Sequence, residues 1–240
     1  MDLHLTRALP SAEEKTAVDK LLGPPASGWE GGARQIGRDD RAAFGGHAKR
    51  AERHMLLPAL HAVQARIGWI SQGALNYVAQ RLDVAPAEVH GVASFYGMFS
   101  LEPKPPVVAH VCDDIGCLAH GAEKVCKNLE AKLGPAGSPC LDGKATWQRS
   151  ACLGACERAP AALVVAAGEK PRERVVAPAD AVAVEALLRD AVAGKLPTEP
   201  DELITKLSVP QAGNKDLRLL RRMGQGNAAS LDDYKGMGGY

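Results

Sequence analysis

Two pairs of cysteines set the tightest limit on what this chain can become. Cys112 and Cys117 have four residues between them, and Cys152 and Cys156 have three. Each pair follows a stretch of strand character, Val107-Val108-Ala109-His110-Val111 before the first and residues 146–150 before the second. Neighbouring strands of one sheet end side by side, so pairs distant in sequence can converge if their strands share a sheet. Four thiolates arriving from loops at strand ends suit an iron–sulfur cluster. Structural zinc prefers shorter spacers but accepts up to four residues, so zinc stays open at the level of spacing, as does a set of unligated thiols. A dithiol redox site would call for C-x-x-C, which is absent.

The loops between the ligands carry their own signals. Gly116 sits just before Cys117 and is expected to relieve crowding there, and Leu153-Gly154-Ala155 is small enough for backbone N–H groups to approach sulfur. Cys126 and Cys140 stand apart from both pairs. Cys126 falls near the buried side of an expected helix and Cys140 in a turn after Ser138-Pro139, so both read as small apolar residues rather than ligands.

Bulk properties exclude several alternatives. The 29 basic and 28 acidic side chains nearly cancel, so no whole-chain field favours nucleic acid or an anionic membrane. No apolar run is long enough for a membrane span, and residues 1–7 lack the features of a signal peptide. The expected compartment is the reducing cytoplasm, directly or at the cytoplasmic membrane face, where cysteines serve better as ligands or buried thiols than as disulfides.

Periodicity lays out the rest. Ser11 with Glu14 forms a capping box for a short helix to Leu22, and the glycine- and proline-rich residues 23–32 then break regular structure. Residues 38–53 read as a wrapping arm, and firm order is expected from His54. Leu56, Leu60, Val63 and Ile67 mark one helix ended by Gly68. Ser71 caps a second with Leu75, Val78, Ala79 and Leu82, and Pro86 opens a third with Val89, Val92, Ala93 and Tyr96. Beyond residue 106 the expected order is β-α-β-β-β-α, with helix positions Val125, Leu129 and Leu133, strands at 162–166 and 174–176, and a last helix opened by Pro178. The fold class is therefore α/β, a compact domain of 104–196 behind a three-helix bundle of 54–103. An extension of 1–53 and a linker and tail of 197–240 complete the chain.

The elements Cys112-Asp113-Asp114-Ile115-Gly116-Cys117 and Cys152-Leu153-Gly154-Ala155-Cys156, followed by Ala159-Pro160, resemble the [2Fe-2S] subunit of the NADH-oxidising module of respiratory complex I. Residues 57–64 and Gly91-Val92-Ala93-Ser94-Phe95-Tyr96 resemble the helical part of the same family, and the likeness spans about residues 54–193. The resemblance implies a thioredoxin-like domain with one [2Fe-2S] cluster on Cys112, Cys117, Cys152 and Cys156. It also implies a flavoprotein partner that holds FMN and NADH, within a larger oxidoreductase complex. Equivalent subunits serve NAD-dependent formate dehydrogenases and NAD-linked hydrogenases, which stand as alternative parents. Residues 230–240 resemble the opening of the flavoprotein subunit, which makes them a candidate docking tail.

Weaker signals point elsewhere. Gly224-Gln225-Gly226-Asn227-Ala228-Ala229 fits a dinucleotide pattern but follows the basic residues 218–222 instead of a strand, so it reads as a glycine-rich loop. His61 lies beside an apolar helix stripe, His110 on the strand leading to Cys112, and His120 three residues after Cys117. Surface or supporting placement is expected of His120, with ligation the lesser reading. Glu157 and Arg158 flank Cys156 and would shape the local field. A redox-sensing regulator would need a basic recognition helix, and the sequence offers none.

Overall fold

The computed structural model describes residues 3–37, 39, 50–197, 216, 218, 222, 225–227 and 229–239. It divides into two units, 1–196 and 197–240.

The larger unit begins with α1 (Ala12–Leu22), whose Ser11 hydroxyl and Glu14 carboxylate form the reciprocal capping box. Three further helices follow: α2 (Leu56–Ile67), α3 (Gln72–Leu82) and α4 (Pro86–Phe95). Gly68 ends α2, Ser71 caps α3, and Pro86 occupies the first turn of α4. Their apolar stripes meet in one core built around Leu60, Val63, Val78, Leu82 and Val89.

That core holds four helices, because Val18 of α1 is fully buried in it. Arg81 explains why. It lies on α3 among apolar neighbours with no exposed surface, and its guanidinium pairs with Asp19 of α1 and donates to the Gly23 carbonyl at 2.8 Å. An arginine so buried requires an anionic partner, and only a covering helix supplies one there. The chain before α1 also belongs to this core. The Asn76 amide donates to the Thr6 and Ala8 carbonyls, and a Cβ added at Gly73 would lie 2.1 Å from the Leu9 oxygen. In two places the helices depart from expectation. Tyr96 follows the end of α4 and is partly exposed, and residues 28–30 form a short 3-10 turn within the glycine-rich stretch.

The second half is a five-stranded sheet in the order β2-β3-β1-β4-β5. Its strands are β1 (Val107–Cys112), β2 (Pro139–Cys140), β3 (Ala145–Ser150), β4 (Ala162–Ala166) and β5 (Arg172–Val176). β1 runs parallel to β3, and the other neighbouring pairs are antiparallel. Between β1 and β2 lie the short α5 (Ile115–Ala119) and α6 (Ala122–Leu133), and α7 (Ala181–Val192) follows β5. Val107, Ala109 and Val111 alternate onto the face covered by α6 and α7, where Trp147, Leu129 and Leu188 are buried. The last helix opens at Ala181, capped by Asp180, and not at Pro178. Cys140 is not in a turn but pairs with Ala145 at the sheet edge, because its thiol fills the apolar core. Cys126 is fully buried in the same core.

In the smaller unit, Ser230 caps α8 (Leu231–Gly236), and Arg222 lies 5.3 Å over the Tyr234 ring. Residues 38 and 40–49 of the arm expected at 38–53, and Gly224 and Ala228 of the glycine-rich pattern, lie outside the described residues. Among the described residues no helix is long and apolar enough to cross a membrane.

Gly73 yields a sharp test. Glycine to alanine inside a helix ordinarily stabilises by about 1 kcal/mol. Here the new methyl meets backbone, so Gly73→Ala should destabilise by about 1–3 kcal/mol in urea unfolding.

Candidate metal centre

Sheet order brings the cysteines together. β3 and β4 flank β1 on opposite sides, so the chain that leaves β3 and enters β4 must cross the end of β1. Cys112 closes β1, opposite Ser150 in the parallel register, and the crossing segment carries Cys152 and Cys156. The pairing continues one step into the loops, where the Asp113 N–H donates to the Ser150 carbonyl at 3.1 Å and Cys112 N–H to Ala161 at 3.0 Å.

Cys117 lies inside α5, and Cys156 opens a short 3-10 turn over Cys156–Arg158. Cys112 and Cys117 are buried, packed with Ala122, Ala155 and Ala161, whereas Cys152 and Cys156 are exposed. The Cys152 and Cys156 sulfurs are 3.3 Å apart. A Cβ placed on Gly116 would stand 3.9 Å from both the Cβ and Sγ of Cys156, which fixes how closely the two loops face each other. That distance is ordinary contact, so Gly116 does not relieve the crowding expected of it. Gly154 is the glycine the site needs. Its φ of +76° lies in the left-handed region, and its N–H donates to the Cys152 sulfur at 3.4 Å.

The thiols perturb one another. Burial pushes Cys117 up to about 11, its hydrogen bond with Cys112 adds to this, and a backbone bond at Ala161 opposes it. Cys156 is also raised, first by its hydrogen bond with Cys152 and then by charge on that neighbour. Thiols that resist ionisation when crowded become good ligands once a cation replaces their protons. Among the described residues no group of three or more Cys, His, Asp or Glu is arranged around a single ion. Cys117 is hydrogen-bonded to Cys112 and the Cys156 sulfur to that of Cys152, so the four thiols stand as two pairs.

Charged neighbours tie the loops down. Asp114 caps α5 at Ile115 N–H and accepts from Cys152 N–H. Arg149 of β3 reaches Asp113 at 3.2 Å and Glu123 at 2.8 Å, joining the first loop to the start of α6. Neither contact is readable from spacing, although the acidic pair 113–114 beside a cysteine is the available signal. Arg158 pairs with Glu157 at 3.0 Å, so the two charges flanking Cys156 largely offset each other.

Three of the described histidines have partners of their own. His120 Nδ1 donates to the Gly116 carbonyl at 2.8 Å, which holds the ring against the first loop. His61 packs on Phe99 with ring centres 4.7 Å apart. His110 is buried beside a cavity of about 380 Å³ between α2 and the sheet. Lys104 donates to the Gln148 oxygen at 2.5 Å, which turns the Gln148 amide nitrogen toward His110 Nδ1 at 3.0 Å. The proton of His110 therefore sits on Nε2, and burial, aided by Lys104, pushes the imidazole down to about 4.

Comparison with known proteins gives the site a context. The sequence model of a family described as thioredoxin-like [2Fe-2S] ferredoxin matches residues 44–190, which include all four cysteines. NADH-quinone oxidoreductase subunit 2 of Thermus thermophilus is 33% identical over 153 residues, covering 63% of this chain and 81% of that protein. The NADH-quinone oxidoreductase E subunit of Pseudomonas aeruginosa is 33% identical over 109 residues, covering 45% of this chain and 66% of that one. The E subunit of Escherichia coli K12 is 33% identical over 105 residues, 43% of this chain and 63% of its own length. A crystal structure of an NAD+-reducing [NiFe]-hydrogenase in the air-oxidised state aligns with a TM-score of 0.45 at 26% identity. It covers 62% of this chain and 24% of that one.

Exposure divides the six thiols. In the iron-free chain, a thiol reagent should modify Cys152 and Cys156 first, with Cys112, Cys117, Cys126 and Cys140 reacting only as the chain opens. Peptide mapping after a short exposure checks the order.

Proposed function

The chain belongs to the thioredoxin-like [2Fe-2S] ferredoxin family, and from that membership we propose that it is an electron-transfer subunit of an NADH:quinone oxidoreductase-type complex. The observation that supports the reading is that the segment carrying Cys152 and Cys156 crosses the end of β1, the strand that Cys112 closes. Cys112, Cys117, Cys152 and Cys156 are the proposed ligands. A [2Fe-2S] cluster held there supplies one-electron chemistry, with its potential set by charge, hydrogen bonding and exposure.

The residues of this chain divide the work. Cys112 and Cys117 anchor one side in the protein interior, and the exposed Cys152 and Cys156 mark the side open to a partner. Ile115 and Leu118, both exposed and apolar, flank that opening on α5 and suit a protein surface. The proposed partner is a flavoprotein subunit carrying FMN and NADH, so hydride chemistry belongs to that subunit and not to this chain. The complex is proposed to lie at the cytoplasmic face of the membrane, with this chain peripheral to the lipid.

Anaerobic reconstitution tests the ligand set. The full chain should take up the iron and sulfide of one [2Fe-2S] cluster and turn reddish. Alanine at any of the four proposed ligands should abolish that spectrum, while Cys126→Ala and Cys140→Ala leave it intact. Normal cluster uptake by a chain lacking one of the four would sink the assignment. The loaded chain alone should show no steady NADH oxidation, and the activity should appear when the co-purifying flavoprotein is added.

The Glu157–Arg158 pair makes a separate prediction. Arg158→Ala leaves the Glu157 carboxylate unpaired beside Cys156 and should lower the cluster midpoint in a redox titration. Removing both side chains should bring the midpoint back toward the wild-type value.

A further inference from the structure

Asp114 stands between the two ligands of the first loop and touches the second loop directly. Its Oδ1 accepts the Ile115 N–H at 2.7 Å, and its Oδ2 accepts the Cys152 N–H at 3.2 Å, across 38 residues of sequence. Helix caps usually accept from the second or third N–H of the first turn. Asp114 has the extended backbone of a cap, φ −72 and ψ 166, yet its bond to α5 goes only to the adjacent N–H. The second oxygen is turned out of the helix and toward Cys152.

The bond matters because sheet pairing has already stopped. The last backbone link between the two strand ends is Asp113 N–H to Ser150, and Cys152 lies two residues farther on. Cys152 is exposed and Gly154 takes a positive φ, so the second loop packs through Ala155 and Leu153 and not through Cys152 itself. Arg149 meanwhile holds Asp113 toward β3 and Glu123, which leaves the neighbouring carboxylate, Asp114, to meet the loop.

We propose that Asp114 is a positioning residue that sets the spacing between the two cysteine pairs by clamping the Cys152 backbone to the first loop. This rests on the ligand assignment above. The clamp orders the thiols of Cys152 and Cys156 opposite those of Cys112 and Cys117 before iron arrives. It also takes up the Cys152 N–H, which is thereby kept from hydrogen-bonding to sulfur.

Two substitutions separate clamping from capping. Asp114→Ser keeps a side chain that caps helices well but is too short to reach Cys152. Asp114→Asn keeps the length and one acceptor oxygen. In the full reconstituted chain, Asp114→Ser should lose iron to a chelator about tenfold faster than wild type, the scale seen when a group supporting a metal ligand is removed. Asp114→Asn should fall between them. The reduced Asp114→Ser cluster should also show shifted EPR g-values, while the iron-free variant unfolds thermally at the wild-type midpoint. Wild-type iron-release rate and g-values in Asp114→Ser would overturn the proposal. So would a fall in the iron-free unfolding midpoint that accounts for faster iron loss, because Asp114 would then act as a cap alone. Failure of the wild-type chain to form a [2Fe-2S] cluster would instead remove the ligand assignment itself, and the two failures are told apart by that control.

Discussion

The parallel pairing of β1 with β3 is the constraint on which the site depends. Parallel neighbours end at the same edge of a sheet and need a crossover between them, here α5, α6 and β2. Both cysteine loops therefore leave from one edge. The antiparallel β4 on the other side of β1 adds the second requirement, since the chain must reach it from β3 by passing over Cys112. An antiparallel β1–β3 pair would place the loops at opposite ends of the sheet, too far apart for any common ligand. A one-residue slip in register would move Cys112 to the other face.

The helical unit obeys a different rule. Nearly every residue of α3 is buried, including Asn76, Tyr77 and Arg81, so the helix needs cover on all sides. Helices α2 and α4 supply part of it. The remainder comes from α1 and from residues 5–10, which give Asn76, Tyr77 and Arg81 partners in Asp19 and in backbone carbonyls. Without that strap, Arg81 and Asn76 would lose the partners that make their burial tolerable.

How much of this is readable from the chain follows from the same physics. Apolar stripes mark α2, α3 and the cores of β1 and β4, because those signals are local. Capping chemistry marks the start of α1 and the start of α3 for the same reason. Arg81 hides the place of α1, since an arginine in a helix normally reports a wet face and only the partner on α1 makes it interior. Cys140 reads as a turn because Ser138-Pro139 precedes it, while a two-residue edge strand leaves almost no periodicity. The cysteine pairs are legible from spacing and from the strands before them. Their convergence needs the strand order, and strand order is decided by long-range packing that no window of sequence contains.

The burial split between the two cysteine pairs then follows from the chain path. Cys112 ends a central strand, and Cys117 sits on a short helix turned inward against Ala122 and Ala161, so their thiols lie under the chain that crosses above. Cys152 and Cys156 belong to that crossing chain and keep their exposure because they lie on its outer side. The inner thiols are therefore held by core packing, and the outer pair by the contacts of the crossing loop. The side-chain and sulfur contacts of that outer loop fall on Asp114, Gly154 and the Glu157–Arg158 pair.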